Sequence, residues 1–163
     1  MTNLFGEGRR YERFGEFLRS FVKELNDLST EGGAVLVEGK RDVAALRSIG
    51  YSGPIFSVSI LRASDAARER MRAEVHQMVI LTDLDSEGRR LASTFVRFLT
   101  REGVKPSLGQ RKRLAAASRG AFLHVENLSR FAERVPELRS LTLATVLEED
   151  EGLNTGWNRS SSC

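Results

Sequence analysis

Two stretches decide how this chain reads: Leu36-Val37-Glu38-Gly39-Lys40-Arg41-Asp42 and Ile80-Leu81-Thr82-Asp83-Leu84-Asp85-Ser86-Glu87-Gly88. Each is an apolar run that stops at carboxylates, Glu38 after 34–37, and Asp83 with Asp85 after 78–81. In a parallel sheet these three acids reach one edge, at the carboxyl ends of the strands, where open α/β folds place their ligands. Side-chain direction alternates along an extended chain, so Asp83 and Asp85 point the same way while Leu84 turns against the protein. Carboxylates about 4 Å apart repel by several kcal/mol at an intermediate dielectric, so the cluster wants a cation. Mg²⁺ fits that need, with Mn²⁺ as a substitute, because it takes oxygen ligands, keeps waters and is commonly held by one or two carboxylates plus a substrate phosphate. Zinc fits poorly, since the chain offers only His76, His124 and the lone Cys163. Both histidines are read as structural.

Working outward from these stretches, strands alternate with helices. Phe14, Phe17, Leu18, Phe21, Val22, Leu25 and Leu28 recur at spacings of three and four, which predicts a long amphipathic helix that packs on the core or pairs with a second subunit. Gly32-Gly33 ends it. A helix is expected over 42–49, a strand over 55–60 after Ser52-Gly53-Pro54, and a helix capped by Ser64 or Asp65. Leu91, Phe95, Phe98 and Leu99 mark a further helix after Gly88, a short strand is expected over 121–125, and Leu128, Phe131, Ala132 and Val135 form a last apolar stripe broken near Pro136. This order implies right-handed crossovers and an α/β, Rossmann-like fold, a mainly parallel sheet of about four strands with helices on both faces. The expected organisation is an N-terminal helix (1–31), a central domain (32–130), a helical extension (131–151) and a disordered polar tail (152–163) with Trp157 as its one anchor.

The Val37-to-Asp42 and Thr82-to-Gly88 motifs, in this order and each after an apolar strand, resemble the two acidic motifs of toprim domains, the catalytic module of type IA and type II topoisomerases, bacterial primases and several small nucleases. The resemblance runs from about residue 33 to about residue 130. His124-Val125-Glu126-Asn127 is weakly similar to a third segment of the toprim ribonucleases that mature small ribosomal RNA. The whole chain looks most like the small stand-alone toprim proteins of archaeal type. The resemblance implies phosphodiester chemistry with one or two metal ions, Glu38 in an acid/base or metal-bridging role, and Asp83 and Asp85 as metal ligands.

At 163 residues the chain suits one domain with a substantial core and is too short for a complete topoisomerase. No run of about 18 apolar residues appears and the first residues lack a secretory pattern, so a cytoplasmic protein with no membrane association is expected. The net charge of +3 conceals an asymmetry, because 148–163 holds four acids and one arginine and leaves +6 on the rest. Arg101, Lys105, Arg111, Lys112, Arg113 and Arg119 face a single acid, Glu102, in one segment, which reads as a phosphate-contacting face or a solvated one. Lys40 and Arg41 open one helix and Arg89 and Arg90 another, although helix N-termini favour acids. A bound phosphate reconciles this, with Gly39 and Gly88 permitting close backbone approach and Asp42 in support; simple pairing with Glu87, Asp42 and the strand-end acids is the alternative.

The leading expectation is a Mg²⁺-dependent nuclease or phosphodiester-processing enzyme acting on RNA or DNA, with Glu38 catalytic and Lys40, Arg41, Arg89, Arg90, Arg111, Lys112 and Arg113 on phosphate. A non-catalytic nucleic-acid-binding or accessory module is the alternative. A small-molecule phosphatase comes third, because its paired aspartates would close the first strand, where this chain has Glu38. Tyr11 and Tyr51 stand in no recognisable nucleophile context, which disfavours strand passage.

Overall fold

The computed structural model describes residues 4–134, with side chains over 8–132. The expected extension beyond 134, its break at Pro136, the polar tail, Trp157 and Cys163 lie outside the described residues. The chain runs α1 (Leu4–Thr30), β1 (Gly33–Val37), α2 (Lys40–Ser48), β2 (Ile55–Ser57), α3 (Val58–Ala63), α4 (Asp65–Glu74), β3 (Gln77–Ile80), α5 (Ser86–Arg101), β4 (Lys105–Ser107), α6 (Gly109–Ser118), a 3₁₀ turn (Val125–Asn127) and α7 (Leu128–Arg134). The four strands form one sheet in the order β2-β1-β3-β4, and every pairing is parallel. The fold is the expected Rossmann-like α/β arrangement with both faces covered. Among the described residues, no helix is long and apolar enough to cross a membrane.

The two-residue period of the central strands sorts the core into two layers. Val35, Val37, Val79 and Leu81 face α1, α2, α6 and α7, where Phe14, Leu18, Phe21, Val22 and Leu25 of α1 are buried. Ala34, Leu36, Met78 and Ile80 face α3, α4 and α5, packing on Leu61, Met71, Phe95 and Leu99. The apolar stripe of α1 is thus buried within the chain, at a gross gain of about 1.5–3 kcal/mol for each large side chain.

Two expected elements differ. The strand expected over 55–60 stops at Ser57, whose hydroxyl accepts the Ile60 N–H at 3.2 Å and so caps α3. In the helical register Val58 and Leu61 are buried and Ile60 is half exposed, a pattern that the β-branched residues mask in the sequence. The fourth strand is not 121–125 but Lys105–Ser107, beside β3 at the sheet edge, a position that tolerates Pro106. Arg119 and Gly120 both take positive φ, 49° and 76°, turning the chain after α6 so that 121–124 crosses the sheet edge as a loop.

The carboxyl edge of β3 is built by backbone hydrogen bonds. Leu81 N–H donates to Leu36 C=O at 2.8 Å, and Thr82, fully buried, donates its hydroxyl to Gly88 C=O at 2.7 Å. Asp85 caps α5, its Oδ1 accepting the Gly88 N–H at 2.7 Å. Gly88 therefore lies on the Asp83 backbone, where an added Cβ would sit 1.9 Å from the Asp83 carbonyl oxygen. At Gly39, by contrast, a Cβ would meet nothing within 4 Å. Gly88→Ala is expected to destabilise the protein by about 3 kcal/mol or more, because a backbone atom cannot yield as a side-chain tip can. Gly39→Ala, with free space, should cost under about 1 kcal/mol. Urea denaturation of both variants checks the pair, and equal stabilities would mean that α5 is not seated on Asp83.

Candidate metal centre at the carboxyl edge of the sheet

Glu38 follows β1, Asp83 and Asp85 follow β3, and the two strands are neighbours in the sheet, so the motifs meet at one edge. Glu38 Oε1 accepts the Asp83 N–H at 3.0 Å across a separation of 45 residues. Asp83 divides its carboxylate: Oδ1 accepts the Val125 N–H at 2.9 Å, and Oδ2 lies 3.0 Å from His124 Nδ1. Asp85 divides its own in the same way, with Oδ1 on the cap of α5 and Oδ2 4.0 Å from His124 Nδ1. One oxygen of each aspartate is thus anchored by a backbone N–H, and the other turns toward the same ring nitrogen. As the alternation of side chains requires, Leu84 packs into the core.

Ligand atoms of Asp83, Asp85 and His124 lie within 4.8 Å of one another. This oxygen-rich set with one imidazole fits a single divalent cation that retains waters. His124, read from the sequence as structural, belongs to the cluster, whereas Glu38 is adjacent through its bond to Asp83 and not a member of it. The loop that carries His124 is tied down on both sides, since Leu123 C=O accepts the Leu84 N–H at 2.6 Å and the Val125 N–H bonds Asp83. The sequence signal for this loop was the His124-Val125-Glu126-Asn127 similarity. His76 lies elsewhere, its backbone bonding Gly32 and Lys105 where β3 begins.

A cleft of about 380 Å³ opens beside the cluster, lined by Glu38, Gly39, Lys40, Arg41, Asp42, Asp83, His124 and Glu126. Its acids bear the cost of proximity. Glu38 is raised above the ordinary glutamate range first by burial and then by Asp83, Asp42 and Asp85, against the lowering effect of the Asp83 N–H. Asp42 is buried, accepts the Gly39 N–H at 3.1 Å as part of the start of α2, and is also raised, chiefly by burial. The hydrogen bond to Asp83 and the charges around it raise His124.

The basic residues divide into two groups. Arg111 of α6 points inward, its guanidinium donating to the carbonyls of Thr82, at 3.2 Å, and Asp83. Burial, then Arg89, lowers its pKa. Arg113 pairs with Glu24 of α1, so Arg111 and Arg113 meet different partners. Arg41 lies 3.8 Å from Glu126, a well-exposed pair of little energetic weight. Lys40, Arg89, Arg90 and Lys112 are exposed and make no ion pair among the described residues. Glu87 is exposed on the first turn of α5.

The toprim domain family model matches residues 33–117. A UPF0292 protein of Methanosarcina acetivorans is 31% identical over 150 residues, covering 92% of this chain and 99% of that protein. A UPF0292 protein of Archaeoglobus fulgidus is 31% identical over 115 residues, covering 70% of this chain and 88% of its own length. Among solved structures, a putative protein from Aquifex aeolicus superposes with a TM-score of 0.56 at 25% identity, covering 67% of this chain and 95% of that one. With both acidic motifs at one sheet edge and these matches across most of its length, the chain belongs to the toprim domain family, among its small UPF0292 members.

Proposed function

We propose that the chain is a divalent-cation-dependent phosphodiesterase, a nuclease acting on RNA or DNA. The observation that carries this reading is the gathering of Asp83, Asp85 and His124 within 4.8 Å next to a glutamate of raised pKa, beside a cleft that holds Lys40 and Arg41. Asp83 and Asp85 would hold the ion, Mg²⁺ or Mn²⁺, which supplies charge neutralisation at a phosphoryl group. Glu38 keeps Oε1 on the Asp83 N–H, and its other oxygen has no hydrogen-bond partner among the described residues. That free oxygen, on a carboxyl whose pKa burial raises, is the atom that takes a proton from an attacking water or returns one to the leaving oxygen. Tyrosine chemistry is disfavoured. Tyr51 is 2% exposed, donates its hydroxyl to Pro54 C=O at 3.0 Å, and is pushed up to about 12 by burial; neither it nor Tyr11 lines the cleft.

The cations that make no ion pair, together with the loosely paired Arg41, are the ones placed to meet a phosphate chain: Lys40 and Arg41 at the cleft, Arg89 and Arg90 on the first turn of α5, and Lys112 on α6. Arg111 has a different task, since its guanidinium is committed to the carbonyls that position Asp83. Replacing Lys40, Arg89, Arg90 and Lys112 by alanine, one at a time, should flatten the salt dependence of nucleic-acid binding, lowering the log–log slope by about 0.7–0.9 for each phosphate no longer neutralised. A slope that does not change in any of the four variants would make them solvated surface residues.

Total RNA and plasmid DNA incubated with the purified chain should be cut with Mg²⁺ or Mn²⁺ and spared with chelator. Glu38→Gln is expected to lose cleavage by about 100-fold or more while binding survives, in the range of acid/base contributions. Asp83→Asn and Asp85→Asn should lose activity and metal dependence together. Binding without cleavage by the wild type, at any ion supplied, would assign the chain to an accessory role instead.

The crowding of acids predicts a stability effect of opposite sign. A carboxyl whose folded pKa lies above its unfolded value of 4.5 favours the fold at acid pH and penalises it once pH rises through the folded value. In chelator at neutral pH, Glu38→Gln should therefore melt higher than the wild type, and the gain should vanish as pH falls below the ordinary glutamate range. Thermal scans across pH check this; a Gln variant that melts lower at neutral pH would show that the Asp83 hydrogen bond outweighs the repulsion.

A further inference from the structure

We infer that His124 is itself a metal ligand, and that the set Asp83 Oδ2, Asp85 Oδ2 and His124 Nδ1 selects a first-row transition ion over Mg²⁺. This rests on the metal-dependent reading of the site above and adds to it the class of ion. Donors on an octahedral ion with bonds of about 2.1 Å stand about 3.0 Å apart when adjacent and about 4.2 Å apart when opposite. His124 Nδ1 lies 3.0 Å from Asp83 Oδ2 and 4.0 Å from Asp85 Oδ2, spacings that fall close to those two values. The Oδ2 atoms are the ones left for an ion, because the Oδ1 atoms are engaged by the Val125 and Gly88 N–H groups.

The ring is also held where it is. The residue before His124 accepts the Leu84 N–H and the residue after it donates to Asp83, so the histidine is tied to the acid motif from both sides. Its side chain is 51% exposed, which leaves the open side on which such an ion keeps water or takes a phosphate oxygen. A hydrogen bond between His124 and Asp83 alone would need only one carboxylate; Asp85 Oδ2, 4.0 Å from the same nitrogen, supplies a second on that side of the ring. Mg²⁺ is a hard ion that takes oxygen, whereas imidazole adds to the binding of first-row divalent ions, least for Mn²⁺ and more for the later ones. A ring nitrogen in the set therefore discriminates against Mg²⁺, and Mn²⁺ is the most stringent ion with which to read it.

The test uses the full chain stripped of metal and titrated with Mn²⁺, followed by electron paramagnetic resonance, with Mg²⁺ as competitor. Mn²⁺ is expected to bind at least about tenfold more tightly than Mg²⁺, and pulsed spectra of the bound ion should carry a ¹⁴N modulation from the ring. His124→Ala should remove that modulation and weaken Mn²⁺ binding by about 10–100-fold while changing Mg²⁺ affinity by less than about threefold. His124→Asn, which keeps a hydrogen-bond donor for Asp83, should lose the modulation too, and circular dichroism melts confirm that both variants are folded. Bound Mn²⁺ without nitrogen coupling, or alanine and wild type with equal Mn²⁺ affinity, would overturn the inference and leave the site to its two aspartates. Failure of both ions to bind the wild type would overturn the metal centre as a whole.

Discussion

Asp83 is held through every polar group it has, and the edge of the sheet is organised around that residue. Its N–H donates to Glu38, its carbonyl accepts from Arg111, and its carboxylate is shared between the Val125 N–H and His124. Its backbone is also what Gly88 packs against. These partners come from separate parts of the chain, so one residue registers β1, α5, α6 and the 121–125 loop against the end of β3. Charge-assisted hydrogen bonds in partly buried surroundings are stronger than neutral ones, which suits them to that task.

The same arrangement brings like charges together. Glu38 is drawn to Asp83 by a backbone N–H and repelled by its carboxylate, and Asp42 and Asp85 add to the repulsion. Burial raises both Glu38 and Asp42, and the like charges add to that rise. Sites that do chemistry commonly concentrate such unfavourable interactions and rely on the surrounding fold to bear them. Here two central, neighbouring strands bear them, each covered on both faces by a packed layer of side chains.

Basic residues near the sheet edge fall into two environments that residue type does not distinguish. Arg111 neutralises the edge from behind, with its donors on the Thr82 and Asp83 carbonyls, and acts as a structural clamp. Lys40, Arg89 and Arg90 occupy first turns of helices, where the backbone already presents partial positive charge, and remain exposed. Cations stacked on helix N-termini oppose the intrinsic preference of those positions. The other arginine of α6, Arg113, is taken up by Glu24 of α1.

How much was legible in the sequence follows from the range of the interactions. Apolar runs, the cap residue Ser64, and the carboxylates at the ends of β1 and β3 are local features, governed by backbone periods of two and 3.6 residues. From them the α/β class, the parallel sheet and the nearness of Glu38 to Asp83 followed directly. The short strand at Lys105–Ser107 was hidden because its residues have little β propensity and pair only at a sheet edge, and the apolar 121–125 run imitated a strand while serving as a loop. The inward turn of Arg111 and the placing of His124 were hidden for a related reason: their partners at Asp83 are 28 and 41 residues distant, and only the packed sheet brings them within hydrogen-bond reach. The sequence by itself determined which residues could form a metal edge, because strand alternation is local; the tertiary structure decided which side chains share it, because that depends on loops closing over long separations.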